Sequence, residues 1–366
     1  MKKFIKRIIL IINILAVIFL LLSYLSKYVS PEKFWPVAFF GLAFPVLVVI
    51  NIIFVMFWII KKKWYFLISL LALVIGIKNL NAYFKLPFGK IENLKPPQEA
   101  NSFKVLSYNV RLFNLYQWEN AETESMIFNF LENENPSVIC FQEFYTREEG
   151  IFTKEDLFER LSSTPYKHIK YHSGSAKRNY GMATFSAYPI INMGNIVFGN
   201  SANISIFTDI VIHHDTIRIY NVHLQSIKLN SENYTLLDSL KQLNYSEKHV
   251  SEIKDISYRL HEAFIRRAKQ VDVISEHVKS SPHPVIVCGD FNDTPVSYAY
   301  RKMSRNLVDA FVESGTGFGN TYSGNFPSFR IDYILHSPEL FSIAFERNKI
   351  RLSDHYPIYC TIFSVE

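Results

Sequence analysis

The run from Ile8 to Leu25 is almost wholly apolar, carries no charge and follows Lys2, Lys3, Lys6 and Arg7. At 1.5 Å of rise per residue, a helix of this length covers most of a bilayer core about 30 Å thick, so the run either spans a membrane or is a signal peptide. Ser23-Tyr24-Leu25-Ser26-Lys27 lacks a good small-x-small cleavage site, which favours retention. A second apolar run covers Phe34 to Ile60 and contains Pro36, Pro45 and Asn51, tolerable where neighbouring helices satisfy the freed groups. A third begins at Trp64 and blurs near Leu80, where Lys78, Asn79 and Asn81 intervene. The expectation is about three transmembrane helices (spans near 8–26, 34–60 and 64–82) within residues 1–90, a polar linker at 91–102 containing Pro96-Pro97, and a separate domain over 103–366. The N-terminal basic cluster and Lys61-Lys62-Lys63 both belong on the cytoplasmic side, so an odd number of spans carries residue 85 onward across. A multi-pass protein of the cell membrane is expected, with the lipid bilayer as partner and the larger domain on the periplasmic or extracellular side.

Residues 1–100 hold 13 Lys or Arg against 3 acids, and the remainder holds 26 against 30. The basic balance of the chain therefore comes from its N-terminal part. The remainder shows no long basic run of the kind that displaces counterions from nucleic-acid phosphates; pairs such as Lys177-Arg178 and Arg266-Arg267 read as solvated positions. Cys140, Cys288 and Cys360 are odd in number and lie inside apolar runs, so no disulfide framework is expected. No Cys/His spacing for zinc appears.

Beyond residue 100, β-branched and aromatic runs recur. Strands are expected at Lys104–Val110, Ser137–Phe141, Gly181–Ser186, Ile204–Ile212, Ile217–His223, Pro284–Gly289, Ile331–His336 and Tyr356–Phe363, with helices at Glu122–Glu132 and Leu260–Val278. His213-His214-Asp215 reads as a hairpin turn, residues 226–257 as functional or partly helical, and Gly315–Gly324 as a mobile rim loop.

Six segments end or begin such strands with chemically active side chains. They are Ser107-Tyr108-Asn109, Phe141-Gln142-Glu143, Asn221-Val222-His223, Gly289-Asp290-Phe291-Asn292, Arg330-Ile331-Asp332 and Ser353-Asp354-His355. Carboxylates, carboxamides and two histidines suit a hard divalent cation beside a phosphate ester.

These segments, above all Val287-Cys288-Gly289-Asp290-Phe291-Asn292-Asp293-Thr294-Pro295, Arg330 to Leu335 and Ser353 to Ile358, resemble the endonuclease/exonuclease/phosphatase (DNase I-like) superfamily over residues 103–364. The resemblance implies an α/β (α+β) fold, a four-layer α-β-β-α sandwich of two mixed sheets. It implies Mg2+, with Mn2+ as a substitute, held by Glu143 with Asn109 beside it and Asp354 supporting. It implies catalytic roles for Asp290 as general base, Asp332 and His355 as a hydrogen-bonded pair, His223 on the phosphate, and Asn292 orienting Asp290. Arg178 and Asn221 are expected to bind substrate. Arg111 stands where abasic-site endonucleases carry an acid, which argues against a repair nuclease, and Arg330-Ile331-Asp332 lacks the Trp-Cys-Asp-Arg pattern of inositol polyphosphate 5-phosphatases. The expected activity is that of a membrane-anchored metal-dependent phosphoesterase acting on a lipid head group, a small ester or nucleic acid. The alternatives are a membrane-anchored nuclease and a catalytically inactive binding module.

Overall fold

A computed structural model of the chain describes residues 2–86, 102–114, 122–149, 153–175, 177–199, 201, 203–212, 215–228, 248–324 and 328–364. The expected linker falls almost wholly on 87–101, outside the described residues, as do His213, His214 and positions 229–247. From Lys248 onward the polar stretch is helical.

The N-terminal part comprises α1 (Lys2–Leu25), α2 (Pro31–Phe34), α3 (Pro36–Leu42), α4 (Phe44–Ile60), α5 (Phe66–Ile75) and α6 (Ile77–Asn81). Helices α1, α4 and α5 pack against one another. Their polar residues face inward: Trp58 Nε1 donates to Asn13 Oδ1 at 2.9 Å, Asn13 Nδ2 to Ser69 Oγ at 2.6 Å, and Ser69 Oγ to Asn51 Oδ1 at 2.9 Å. Apolar residues such as Ile11, Val49, Ile53, Leu71 and Val74 face outward. The expectation of about three spans is corrected here. Among the described residues, only α1 is long and apolar enough to cross a membrane alone; α3 and α4 qualify only as a pair bent by 64°, and α5 has ten residues. The breaks have local causes: Pro45 removes a backbone donor at the start of α4, and Gly76 separates α5 from α6.

The rest of the chain carries runs of strands interrupted by helices. Strand β1 (Phe84–Lys85) precedes β2 (Ser102–Asn109), α7 (Glu122–Glu134), β3 (Val138–Arg147), α8 (Lys154–Arg160), β4 (Tyr166–Ser175), β5 (Arg178–Ser186), β6 (Ile190–Val197), β7 (Ile204–Ile212) and β8 (Asp215–His223). Helix α9 (Lys248–Lys279), β9 (Val285–Asp290), α10 (Tyr298–Met303), β10 (Val308–Asp309), α11 (Ala310–Ser314), β11 (Gly317–Phe318), β12 (Asp332–His336), β13 (Leu340–Arg347) and β14 (Ile358–Ser364) follow. Two six-stranded mixed sheets form, in the orders β10-β12-β9-β8-β7-β6 and β13-β14-β2-β3-β5-β4. Within them β2 and β3 run parallel, as do β8 and β9.

Three apolar layers explain the stacking. Phe103, Val105, Cys140, Ile219, Ile286, Cys288, Ile358 and Cys360 fill the space between the sheets, and the three cysteines are buried and free. On the outer face of one sheet, Phe141, Phe144 and Phe185 meet Ile127, Phe128 and Leu131 of α7 and Leu157 of α8. On the other, Tyr220, Val287 and Leu335 meet Val271 and Ile274 of α9 and Met303 of α10. All eight expected strands are present. Strands β4, β6 and β13 were not anticipated; β6 and β13 alternate between polar and apolar only weakly, and β6 is largely exposed.

The two parts are docked to each other. Strand β1 pairs with β11, Ser26 Oγ donates to Val296 O at 2.8 Å, Phe39 meets Phe264 edge-on at 5.3 Å, and Arg330 Nη1 donates to Ala82 O at 3.0 Å. The expected rim loop at Gly315–Gly324 is instead tied down. Besides the β1 pairing, Thr321 Oγ1 accepts from the amides of Ile331 and Asp332 at 3.0 Å, and Tyr322 bridges to His355.

Candidate active site

The parallel pairing of β2 with β3 and of β8 with β9 brings Asn109, His223 and Asp290, at the ends of β2, β8 and β9, to one edge of the sandwich beside Glu143, which lies within β3. Asp332 opens β12 directly opposite Asp290, and the segment before β14 adds Asp354 and His355.

Glu143 reaches this edge through a bulge. A regular strand would put Phe141 and Phe144 on opposite faces, but the register slips between them and both rings join the outer core, 5.9 Å apart. Glu143 takes up the slip at φ 51°, a strained value for a residue with a side chain, and its carboxylate points into the site. Asn292 adopts φ 52° just past β9, and there its amide donates to Asp290 Oδ1 at 2.7 Å while its Nδ2 donates to Asp290 Oδ2 at 3.0 Å. Residues Arg111 to Asn114 form a left-handed turn with φ between 45° and 59°. Its anchor is Phe113, buried among Phe128, Phe141 and Phe144, and it brings Arg111 Nε to 3.5 Å from Asp354.

The side chains then interlock. Asn109 Nδ2 donates to Glu143 Oε1 at 3.3 Å and to Asp290 Oδ2 at 3.2 Å, drawing the two carboxylates together across the two sheets. His355 Nδ1 lies 3.0 and 3.1 Å from the two oxygens of Asp332, and its Nε2 lies 3.7 Å from Asp290 Oδ2. His223 Nε2 is 3.7 Å from both Glu143 and Asp290, buried, and without a hydrogen-bond partner. Asp290, Asp332 and His355 each bring a donor atom within 4.8 Å of one another, a group able to hold an ion.

Burial sets the electrostatics. Removal from water pushes the Asp290 carboxyl up to about 7, partly offset by His355 and reinforced by Asp332. Glu143 is raised by burial as well. Burial alone would lower His355, but Asp332 and Asp290 outweigh it and hold the ring protonated, whereas burial and the neighbouring His355 push His223 down to about 4 and keep it neutral. The site therefore holds one neutral and one cationic imidazole, and no Lys or Arg pairs with Glu143 or Asp290 among the described residues.

Two expected substrate contacts lie elsewhere. Asn221 is fully buried below the site, donating to Phe141 O at 3.1 Å and Ala183 O at 3.0 Å while accepting from Gln142 Nε2 at 2.8 Å. It is a strut between the sheets. Arg178 stands exposed at the start of β5 and is not among the residues lining the cavity of about 210 Å3 that contains Glu143, Asp290 and His355. Sequence reasoning also passed over Thr321, whose hydroxyl sets the backbone ahead of Asp332, and a threonine in a glycine-rich loop carries no signal of that kind.

Residues 106–355 match the Endonuclease/Exonuclease/phosphatase family, and residues 6–83 match a domain of unknown function (DUF8431). No curated protein matches the chain. Among solved structures, an endonuclease/exonuclease/phosphatase from Beutenbergia cavernae is 14% identical with a TM-score of 0.51, covering 72% of each chain. The human Nocturnin catalytic domain with bound sulfate anion is 17% identical with a TM-score of 0.51, covering 72% of this chain and 94% of that one. D. rerio TDP2 complexed with single strand DNA product is 16% identical with a TM-score of 0.50, covering 71% and 98%. At these identities the likeness speaks for the fold alone. By its match over residues 106–355, the chain belongs to the endonuclease/exonuclease/phosphatase family, whose members are hydrolases of phosphoester bonds.

Proposed function

We propose that this protein is a membrane-anchored, Mg2+-dependent phosphoesterase that cleaves its ester by attack of water, with its catalytic domain over residues 103–366 on the extracytoplasmic side. The observation that carries the reading is the meeting of Glu143, Asp290, His223 and the His355–Asp332 pair at one sandwich edge. The donor set fits a hard divalent cation: the buried carboxylate of Asp290 and the partly exposed one of Glu143 are drawn together by Asn109, with no Lys or Arg partner among the described residues, next to an unpartnered His223 Nε2. Glu143 and Asn109 would hold the ion with Asp354 in support, and Mn2+ would substitute. When bound, the ion supplies charge neutralisation and polarises the phosphoryl oxygens.

The chain's own residues do the rest. Asp290, clamped by Asn292 and Asn109, takes the proton of the attacking water. His355, kept cationic by Asp332, donates from Nε2 to oxygens that gain charge in the transition state. Neutral His223 donates to a phosphate oxygen. A catalytically inactive module would be expected to have lost one of these groups, and Asn109, Glu143, Asp290, Asn292, Asp332, Asp354 and His355 are all present.

Anchoring is supported by the outward apolar faces of α1, α4 and α5. Exposed Trp64 marks one end of the bundle and exposed Tyr28, Phe34 and Trp35 the other, as expected of interfacial aromatics. Lys6 lies 4.9 Å from the Tyr65 ring, so the N-terminal basic cluster and Lys61-Lys62-Lys63 share one end, and the catalytic domain docks at the opposite end through Ser26. That polarity supports the extracytoplasmic placement. The test is hydrolysis of bis(p-nitrophenyl) phosphate by the full-length protein in detergent with Mg2+, against EDTA and a Glu143→Gln control. Absence of hydrolysis of this and every other phosphate ester offered would overturn the reading.

A further inference from the structure

The cavity that holds the catalytic groups is not built by the catalytic domain alone. Its far wall is apolar, made by Leu260 and Phe264 of α9, Phe329, Ile331 and, from the N-terminal part, Leu42 at the C-terminal end of α3. Leu42 occupies the elbow where α3 turns by 64° into α4, and just beyond the elbow Val46 and Val49 face outward. Leu42 thus stands in the same cavity as Asp290 and His355, four residues before the outward-facing Val46 of α4. Two further contacts hold this wall in place: Phe39 of α3 stacks edge-on against Phe264, and Trp35 meets His261 with ring centroids 4.8 Å apart. On the same helix, within the three turns before Leu260, Val250, Ile253 and Tyr258 are exposed.

The charges around the cavity point the same way. Among the described residues that line it, the cations besides the catalytic His355 are Lys228 and Arg267. Arg267 is buried and engaged by Asp293 at 3.1 Å, which leaves Lys228 exposed. A polyanion held through many phosphate contacts needs a row of such cations; one phosphate attached to an apolar chain does not.

We propose that the substrate is an amphiphilic phosphate ester, a single phosphoryl group carrying an alkyl or acyl chain, with the phosphate at Glu143, Asp290 and His355 and the chain along Leu42, Leu260, Phe264 and Phe329. This rests on the phosphoesterase reading and adds that the N-terminal helical part is a wall of the substrate site as well as an anchor. The reaction is unchanged: water adds to phosphorus, one P–O bond breaks, and the alcohol leaves with a proton.

The full-length protein in nanodiscs with Mg2+ is offered p-nitrophenyl phosphodiesters whose second group is methyl, butyl or octyl, together with a single-stranded oligonucleotide. The expected result is a kcat/KM that rises about tenfold or more from methyl to octyl, since each buried methylene favours binding. In Leu42→Gln and, independently, Phe329→Gln, the octyl-to-methyl ratio falls to below about threefold, with folding checked by thermal unfolding in detergent. A flat chain-length series in the wild type overturns the proposal while leaving the phosphoesterase reading intact. Faster cleavage of the oligonucleotide than of the octyl ester overturns it in favour of a nuclease. If no ester is cleaved, both readings fall together.

Discussion

Asp332→Asn isolates the charge that keeps His355 cationic. The two residues touch at 3.0 Å, so at an effective dielectric of about 20 their Coulomb attraction is on the order of 5 kcal/mol. An amide retains a dipole and a hydrogen bond but no charge, so most of that attraction is lost. Burial then works against the attraction of Asp290 and Asp354 alone, and the imidazole gives up its proton at lower pH than in the wild type. If His355 acts as a cationic donor to the developing oxyanion, about 3–4 kcal/mol of transition-state stabilisation goes with its charge, or roughly a hundredfold to thousandfold in kcat. KM changes little, because the ground-state phosphate is held by other groups as well. The variant's residual kcat rises relative to the wild type as pH is lowered from about 8 to about 6, because the ring regains its proton only there. The measurement is a kcat and KM profile for bis(p-nitrophenyl) phosphate across that range. A kcat within about threefold of the wild type, with an unshifted profile, would refute the reasoning.

Three other outcomes are expected. Glu143→Gln loses activity chiefly through weaker metal binding, so a titration to high Mg2+ recovers part of the rate; no recovery at any concentration removes Glu143 from the metal site. His168, which bonds Thr208 across the two sheets at 2.9 Å, is pushed down to about 4 by burial and by Lys170. The unfolded chain takes up that proton near 6.5, so it binds more protons between about 6.5 and 4; stability is level above that window and falls by about 3 kcal/mol on acidification through it. His168→Gln flattens this slope in denaturant titrations, and an unchanged slope would exclude the residue. Gly289 sits at φ 142°, where an added Cβ would lie 1.9 Å from Val222 O, so Gly289→Ala lowers the melting temperature sharply, by the equivalent of about 3 kcal/mol or more; a shift of under about a degree would show that β8 and β9 are not so close.

Much of the fold was legible because its signals are local. β-branched and aromatic runs mark β2, β3, β7, β8, β9, β12 and β14, and helical spacing marks α7 and α9. Strand β4 was missed because Tyr166–Ser175 mixes Lys, His and Ser among its apolar residues, and β6 because it is mostly exposed. The spans were overcounted because composition reports apolarity but not continuity: Pro45 reads as tolerable within a span, yet α4 starts afresh there, and Gly76 divides α5 from α6. At the site, the His355–Asp332 contact and the nearness of Glu143 to Asn109 were expected from motif resemblance and are present in the geometry. Asn221 was expected to bind substrate because a carboxamide near a strand end reads the same whether it faces a ligand or the opposite sheet.

Residue types and their order determined by themselves that an apolar N-terminal block precedes a β-rich domain with metal-suited side chains at its strand ends. Only the tertiary structure decided which of these side chains meet, that a bulge at Glu143 turns its carboxylate inward, and that Leu42 forms part of the catalytic cavity. The physical reason is range. Propensity and periodicity act over a few residues, whereas the contacts that build the site join positions as far apart as Asn109 and Asp290, and the wall at Leu42 exists only because the N-terminal helices dock on the β-rich part.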